Sequence, residues 1–450
     1  MSHISDLIKE HIVIVDNGSG VLVQPMTEEY SYILTAKHNI LVDRKDSESG
    51  TKEIVKIELK NYKGDELHAK GIYKHQTLDV AIICIDFYPD INTHPCQKIL
   101  GMDDNIWLYG YPAHLRKKYS SVNQWIESYN LVPHDLSHEK IIFKNKETTI
   151  KIDIDGFSGG GLFYVDEAKN QFFLMGIDSA CTSHGEYVDR IEGIPIGVFN
   201  ELLSDNELAT LKPLHLSDFK YLIDQTFPKK YYEHLADFKW ICFTHVVDIL
   251  KKILMNQVGG IETSPLYILK NNLQYLEVNH QDESDLENIE LWSALLELIL
   301  LNSLIDNENY DEFKMKTDIE ALFKEFRIIY INSTKNWEAH YESIITTNTD
   351  GLNDNGKIIL VTGCSPMSEA VISADDVQEV IDNISHVSED GYIDNALRIS
   401  QKKYPIIHWI SLHNQCIFSK MDQFKEYKSI SARNENIKLL KQQYQSYLNT

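Results

Sequence analysis

The spacing of apolar residues changes character near residue 208, and that change requires two differently built parts. Before it, apolar residues come in short β-branched runs punctuated by Gly, Asn, Asp and Pro. They include HIVIV from His11, GVLVQ from Gly20, SYILTA from Ser31, VKIEL from Val55, DVAIICI from Asp79 and NIWLYG from Asn105. TTIKIDI from Thr148, GLFYV from Gly161 and QFFLMGI from Gln171 continue the series. Runs this short favour extended backbone, and no strand-helix-strand alternation interrupts them. The pattern predicts an all-β barrel or sandwich over residues 1–208.

From residue 209 the apolar residues follow a helical period. SDFKYLIDQTF (217–227), the long segment after Pro228, residues 284–305 and the terminal NENIKLLKQQYQSYL (434–448) all read as helices. KTDIEALFKEFRIIYI (316–331) begins helical and ends extended, while NGKIILVTG (355–363) and YPIIHWISL (404–412) read as strands. Residues 209–450 are therefore expected to form a mainly helical α+β domain. With 450 residues, 43% of them hydrophobic, the chain can bury more than one core.

Acidic residues outnumber basic ones, 67 to 43, for a net charge of -24, which argues against nonspecific binding to nucleic acid or an anionic membrane. The start, MSHISDLIKEH, is charged at Asp6, Lys9 and Glu10 and does not read as a secretory signal or anchor. The greasiest run, 291–305, contains Glu297 and is too short to span a bilayer. A cytoplasmic location is expected. The six cysteines form no CxxC pair, as suits reduced thiols in cores.

Chemistry concentrates in DIDGFSGGGLF (153–163), where Ser158 sits between Gly156 and three further glycines. A phosphate loop would need a lysine and a helix entry, whereas Gly161 leads into Leu162, Phe163 and Tyr164. A serine hydroxyl needs a base to take its proton and a carboxylate to fix the tautomer of that base. His38 follows SYILTAK and Asp79 opens DVAIICI, so both lie at strand ends. The N–H groups of Gly156 and Ser158 are placed to hold an oxyanion, and Gly159 and Gly160 permit a tight turn behind the serine. Backbone from Ser179 through Ala180 to Cys181 is expected to form one wall of a substrate groove by strand addition.

GSGVLV (18–23), YILTAKHNI (32–40), LDVAII (78–83), GFSGGGLF (156–163) and LMGIDSA (174–180), in that order, resemble the trypsin-like serine peptidase family in its disulfide-poor, HtrA-like form. The resemblance spans residues 8–208 and implies a double β-barrel. It makes His38 the general base, Asp79 its orienting carboxylate and Ser158 the nucleophile, and sets Ser179 beside the triad aspartate. It also implies a protein or peptide substrate and no cofactor. Ile152 would fall near the base of the primary specificity pocket, favouring an apolar or small side chain, while a shift of one residue would bring Asp153 there instead. Two departures stand out. Phe157 replaces the aspartate that receives a newly cut amino terminus in digestive enzymes, so activation by that ion pair is not expected. Lys37 replaces a small residue before the histidine.

Plainer roles compete at each position. Ser158 suits an ordinary glycine loop, His38 a structural strand end, and Asp79, with Asp86 and Asp90 nearby, a turn. His134 and His138, and Cys181 with His184, lack a third metal ligand and read as exposed loop residues; His408 and His413 read as structural. VTGCSPMSEA (361–370) has a glycine turn but no basic phosphate partner. The favoured reading is a serine endopeptidase, with a catalytically silent peptide-binding or scaffold module as the alternative. The C-terminal domain is expected to take a regulatory protein partner or ligand. The whole organisation resembles bacterial conflict-system proteins that join a trypsin-like effector to a C-terminal sensor or assembly domain.

Overall fold

A computed structural model describes residues 2–40, 57–96, 98, 101, 104–137, 139–145, 154–184, 187–228, 237–278, 283–307, 318–333, 344, 347–363, 369–372, 404–424 and 430–449. The chain divides into two units, Met1–Pro213 and Leu214–Thr450.

In the first unit, β1 (Ile12–Val15), β2 (Gly18–Val23), β3 (Tyr30–Thr35), β4 (Leu59–Lys60), β5 (Ala69–Lys74) and β6 (Ala81–Asp86) form a six-stranded sheet in the order β4-β1-β2-β3-β6-β5. A second set closes into a barrel in the order β10-β11-β12-β9-β8-β7. Its strands are β7 (Ile106–Gly110), β8 (Glu127–Leu136), β9 (Ile141–Asn145), β10 (Gly161–Asp166), β11 (Gln171–His184) and β12 (Tyr187–Pro195). The all-β expectation holds, with one closed barrel and one six-stranded sheet.

The two-residue period of the strands feeds two cores at once. Ile12, Ile14, Val21, Val23, Tyr32 and Leu34 face a core shared with Tyr109, Phe163 and Ile177 of the barrel strands. Their neighbours Val13, Val15, Leu22 and Ile33 fill a separate cluster with Ile83 and Ile85. Inside the barrel, Leu108, Phe143, Leu162 and Ile191 pack around Phe157. Burial on both faces leaves β1 and β2 with no exposed residue, which makes them rigid supports for what lies at their ends.

The second unit centres on a five-stranded sheet in the order β13-β14-β15-β17-β16: β13 (Leu276–Val278), β14 (Phe326–Ile331), β15 (Lys357–Thr362), β16 (Val371–Ile372) and β17 (Ile406–His408). Strands β13, β14, β15 and β17 run parallel; only β16 is antiparallel. Helices Asp237–Gln257, Ile289–Asp306 and Ile430–Leu448 supply the helical part, as expected of an α+β unit. The helix-to-strand change at 316–331 falls between Glu325 and Phe326. Two local expectations are corrected. Residues 219–225 form a 3-10 helix, capped by the Asp218 side chain, and not an α-helix. YPIIHWISL is a strand only to His408, because His408 caps a helix, Trp409–Cys416, by accepting the Ser411 N–H. The TTIKIDI strand lies outside the described residues except for Ile154.

Candidate active site

Antiparallel pairing brings the first two candidates together. Thr35, at the end of β3, pairs with Ala81, at the start of β6, so the residues just after the one and just before the other become neighbours. His38 follows on a short 3-10 turn, Lys37–Ile40, and Asp79 precedes β6. The Asp79 carboxylate accepts twice from His38: Oδ1 from the backbone N–H at 2.9 Å and Oδ2 from ring Nδ1 at 2.6 Å. With Nδ1 donating, Nε2 is left as an acceptor, and it lies 2.7 Å from the Ser158 Oγ. The side chains of His38 and Asp79 are 48% and 36% exposed, so the group is open to a substrate.

Lys37 contributes to this arrangement. Its Nζ donates to the carbonyl of His75 at 2.9 Å, and its backbone N–H donates to the Asp79 carbonyl at 3.2 Å. The lysine before the histidine thus ties β3 to the 75–79 turn that presents Asp79.

Ser158 stands on the turn leading into β10. Gly159 N–H donates to the Asp178 carbonyl at 2.7 Å and Asp178 N–H to the Gly160 carbonyl at 2.8 Å, extending the β10–β11 ladder to the serine. Gly156 and Gly159 have φ of +95° and +83°, values that side chains disfavour. A Cβ at Gly159 would stand 2.1 Å from the Ser19 carbonyl oxygen, and one at Gly156 2.8 Å from that of Tyr111. No described backbone acceptor takes the N–H of Gly156 or Ser158, whereas that of Phe157 is held by the Ile154 carbonyl at 2.9 Å. Phe157 itself is fully buried, its ring 5.3 Å from that of Tyr129 in the barrel core.

Two residues that the sequence did not single out fix this turn. Ser19 donates its backbone N–H to the Ser158 carbonyl at 2.8 Å and its hydroxyl to the Gly156 carbonyl at 2.9 Å. The Asn39 amide also donates to the Ser158 carbonyl, at 2.7 Å, and to Thr35 Oγ1 at 3.1 Å. The signals were present: a serine between two glycines in GSGVLV, and an asparagine directly after the histidine.

Ser179 lies at a bulge in β11, and its hydroxyl donates to the Glu192 carbonyl at 3.1 Å. The preceding residue, Asp178, is 2% exposed, and its Oδ1 has no hydrogen-bond partner among the described residues. Burial first, and then the nearby charges of Asp79 and Glu192, push the Asp178 carboxyl well above its ordinary range. Beyond it, Ala180 and Cys181 pair with Glu192 and Ile191 of β12, while no described strand lies on their other side. Ile152 and Asp153 lie outside the described residues.

The remaining candidates fall elsewhere. His134 is exposed as expected but sits within β8, not a loop, and His138 lies outside the described residues. No group of three or more metal-ligating side chains occurs among the described residues, and none of the described helices is long and apolar enough to cross a membrane. His408 bridges Thr362 and Ser411, at 2.9 and 2.5 Å, and burial pushes its pKa down to about 4. His413 joins Glu297 and Tyr444 at 2.9 and 2.7 Å.

A β-rich unit bearing a carboxylate-histidine-serine relay is thus joined in one chain to a unit built on a mostly parallel sheet. The model of CTD4, C-terminal domain 4 of the ABC-three component (ABC-3C) systems, matches residues 193–418, half of the chain, and the chain belongs to this family. Among solved structures, the chain is similar to the Rv3671c protease of M. tuberculosis H37Rv in two inactive-form crystal structures. Each is 12% identical with a TM-score of 0.32, covering 45% of this chain and 89% or 91% of that one. It is also similar to the serine endoprotease from Yersinia pestis, at 19% identity and a TM-score of 0.33, covering 46% of this chain and 67% of that one. No curated protein matches the chain.

Proposed function

We propose that the chain is a serine endopeptidase of a bacterial defence system, regulated through its C-terminal unit. The observation that carries this reading is the continuous relay from Asp79 through His38 to Ser158, with contacts of 2.6 and 2.7 Å. Ser158 Oγ attacks a peptide carbonyl as its proton passes to His38 Nε2, and Asp79 stabilises the resulting imidazolium. The N–H groups of Gly156 and Ser158 hold the oxyanion. Collapse of the tetrahedral species gives the acyl-enzyme, with His38 returning the proton to the departing amine; water then repeats the sequence and frees Ser158. The open side of Ser179–Cys181 accepts the backbone of an extended peptide. Membership in a family named for three-component systems supports a protein partner for the C-terminal unit.

The test is covalent labelling with a serine-directed fluorophosphonate, followed by peptide mapping and by proteomic comparison of wild type with Ser158→Ala. Labelling confined to Ser158, together with cleavages lost in the variant, is expected. Absence of labelling, with or without candidate partners, would return the chain to the class of peptide-binding modules.

A further inference from the structure

In the first unit, Arg116 directs its guanidinium at three backbone carbonyls. It lies on the short helix Ala113–Lys118. Nη1 donates to the Asp16 carbonyl at 3.0 Å, and Nη2 to those of Gly18 at 2.7 Å and Tyr111 at 3.0 Å. Asp16 belongs to the tight turn between β1 and β2, Gly18 opens β2, and Tyr111 directly follows β7. Arg116 therefore clasps an end of the six-stranded sheet to an end of the closed barrel. A planar fork has its donors fixed in direction, whereas the ammonium of a lysine is a single point on a flexible stem.

Gly156 lies against both clasped segments. A Cβ on it would stand 2.8 Å from the Tyr111 carbonyl oxygen, 2.9 Å from the Ala113 nitrogen and 3.4 Å from the Asn17 carbonyl oxygen. One of these contacts is directional, since the Ala113 N–H donates to the Asp155 carbonyl at 2.7 Å. That carbonyl and the Gly156 N–H belong to one peptide group, and in a planar trans peptide the two point in opposite directions. Holding the carbonyl thus aims the N–H. The Ser158 N–H is aimed in the same way from within the turn, because the Phe157 carbonyl accepts from the Gly160 N–H at 2.6 Å. The Gly156 N–H, in contrast, takes its direction from the entry of the Ala113–Lys118 helix.

That helix entry is anchored at two points. The Tyr111 N–H donates to the Ser19 hydroxyl at 2.9 Å, and the Tyr111 carbonyl accepts from Arg116, which reaches back along its own helix. The same guanidinium holds the carbonyls on either side of Asn17. We propose that Arg116 is a positioning residue for the oxyanion site: by clasping the 16–18 turn to the helix entry at 111–113, it fixes the direction of the Gly156 N–H. Such a role presupposes the peptidase reading. Oxyanion donors act only when aimed in advance at the place where charge develops. Loss of the clasp should therefore slow acylation while the Asp79–His38–Ser158 relay stays intact.

The test uses the full chain and two variants: Arg116→Lys keeps the charge and loses the fork, and Arg116→Met loses both. The probe is a fluorophosphonate, whose phosphoryl oxygen enters the oxyanion position as Ser158 attacks. The limiting rate of Ser158 labelling is expected to fall about tenfold or more in both variants. The pH midpoint of labelling and the downfield resonance of the His38 Nδ1 proton report on the relay and should match wild type, as should circular dichroism. If Arg116→Met does not fold, Arg116→Lys decides. A wild-type labelling rate in Arg116→Lys overturns the proposal. So does a fall accompanied by a shifted pH midpoint, which places the damage in the relay, and so does loss of the fold in Arg116→Lys, which makes the residue merely structural. Absence of labelling in wild type removes the peptidase reading itself, and this role with it.

Discussion

The two units contain the same chain of groups in opposite surroundings. In the first, a carboxylate, a histidine and a hydroxyl are joined as Asp79, His38 and Ser158; in the second, as Glu297, His413 and Tyr444. The bond lengths are alike. What differs is access: His38 and Asp79 are 48% and 36% exposed, His413 and Glu297 3% and 2%. The first relay ends on a glycine turn with backbone N–H groups beside the hydroxyl, while the second ends on a fully buried phenol. Connectivity alone therefore does not mark an active site. An exposed ion pair contributes little to folding, so the first relay adds little to stability; a buried one is costly to break, so the second acts as a pin.

This contrast predicts opposite phenotypes. Ser158→Ala should lower turnover by about 10^5-fold or more with little change in melting temperature, read by peptide cleavage alongside calorimetry. Asp79→Asn should cost about 10^4-fold at neutral pH, through the wrong His38 tautomer, and again leave stability within about 1 kcal/mol. Glu297→Ala should do the reverse, removing about 3–5 kcal/mol of stability in urea denaturation. If Asp79→Asn unfolds the chain, or Glu297→Ala leaves it intact, the contrast is broken.

Two smaller effects sharpen it. The Asp178 carboxyl is held above its ordinary value of 3.8, so from about that pH upward the folded chain retains a proton that the unfolded chain releases. Stability supplied by this group is present below that pH and declines as pH rises through the window up to its folded-state pKa. Asp178→Asn should accordingly be more stable than wild type at pH 8, with the difference vanishing below about pH 4, as measured by melting temperature across pH. Smallest is Asn39→Ala, which removes one of the two donors to the Ser158 carbonyl; a roughly tenfold fall in acylation rate is expected by stopped-flow labelling, consistent with the loss of about one hydrogen bond.

How much of this was legible depended on the range of each signal. His38, Asp79 and Ser158 sit beside strong strand and glycine signals, so their places on strand ends and a turn were readable locally. Ser19 and Asn39 act on carbonyls 137 and 119 residues away, and nothing short-range announces such contacts. Asp178 was hidden because one acid in an apolar strand reads as a solvent-facing position until burial is known. In the second unit the strands at 357–362 and 406–408 stood out as apolar runs, but their parallel direction depends on the connections between them. The apolar residues of WISL suit strand and helix alike; the His408 cap decides for helix.

Phe157 carries one further consequence. In place of a charged partner awaiting a signal, the residue next to Ser158 is part of the barrel's packed interior, at 0% exposure. The shape of the nucleophile turn is thus coupled to the integrity of the barrel itself, and the two should melt as one. Heating should extinguish fluorophosphonate reactivity at the temperature at which barrel tyrosines such as Tyr129 lose their near-ultraviolet dichroism, with no separate, earlier transition of the turn.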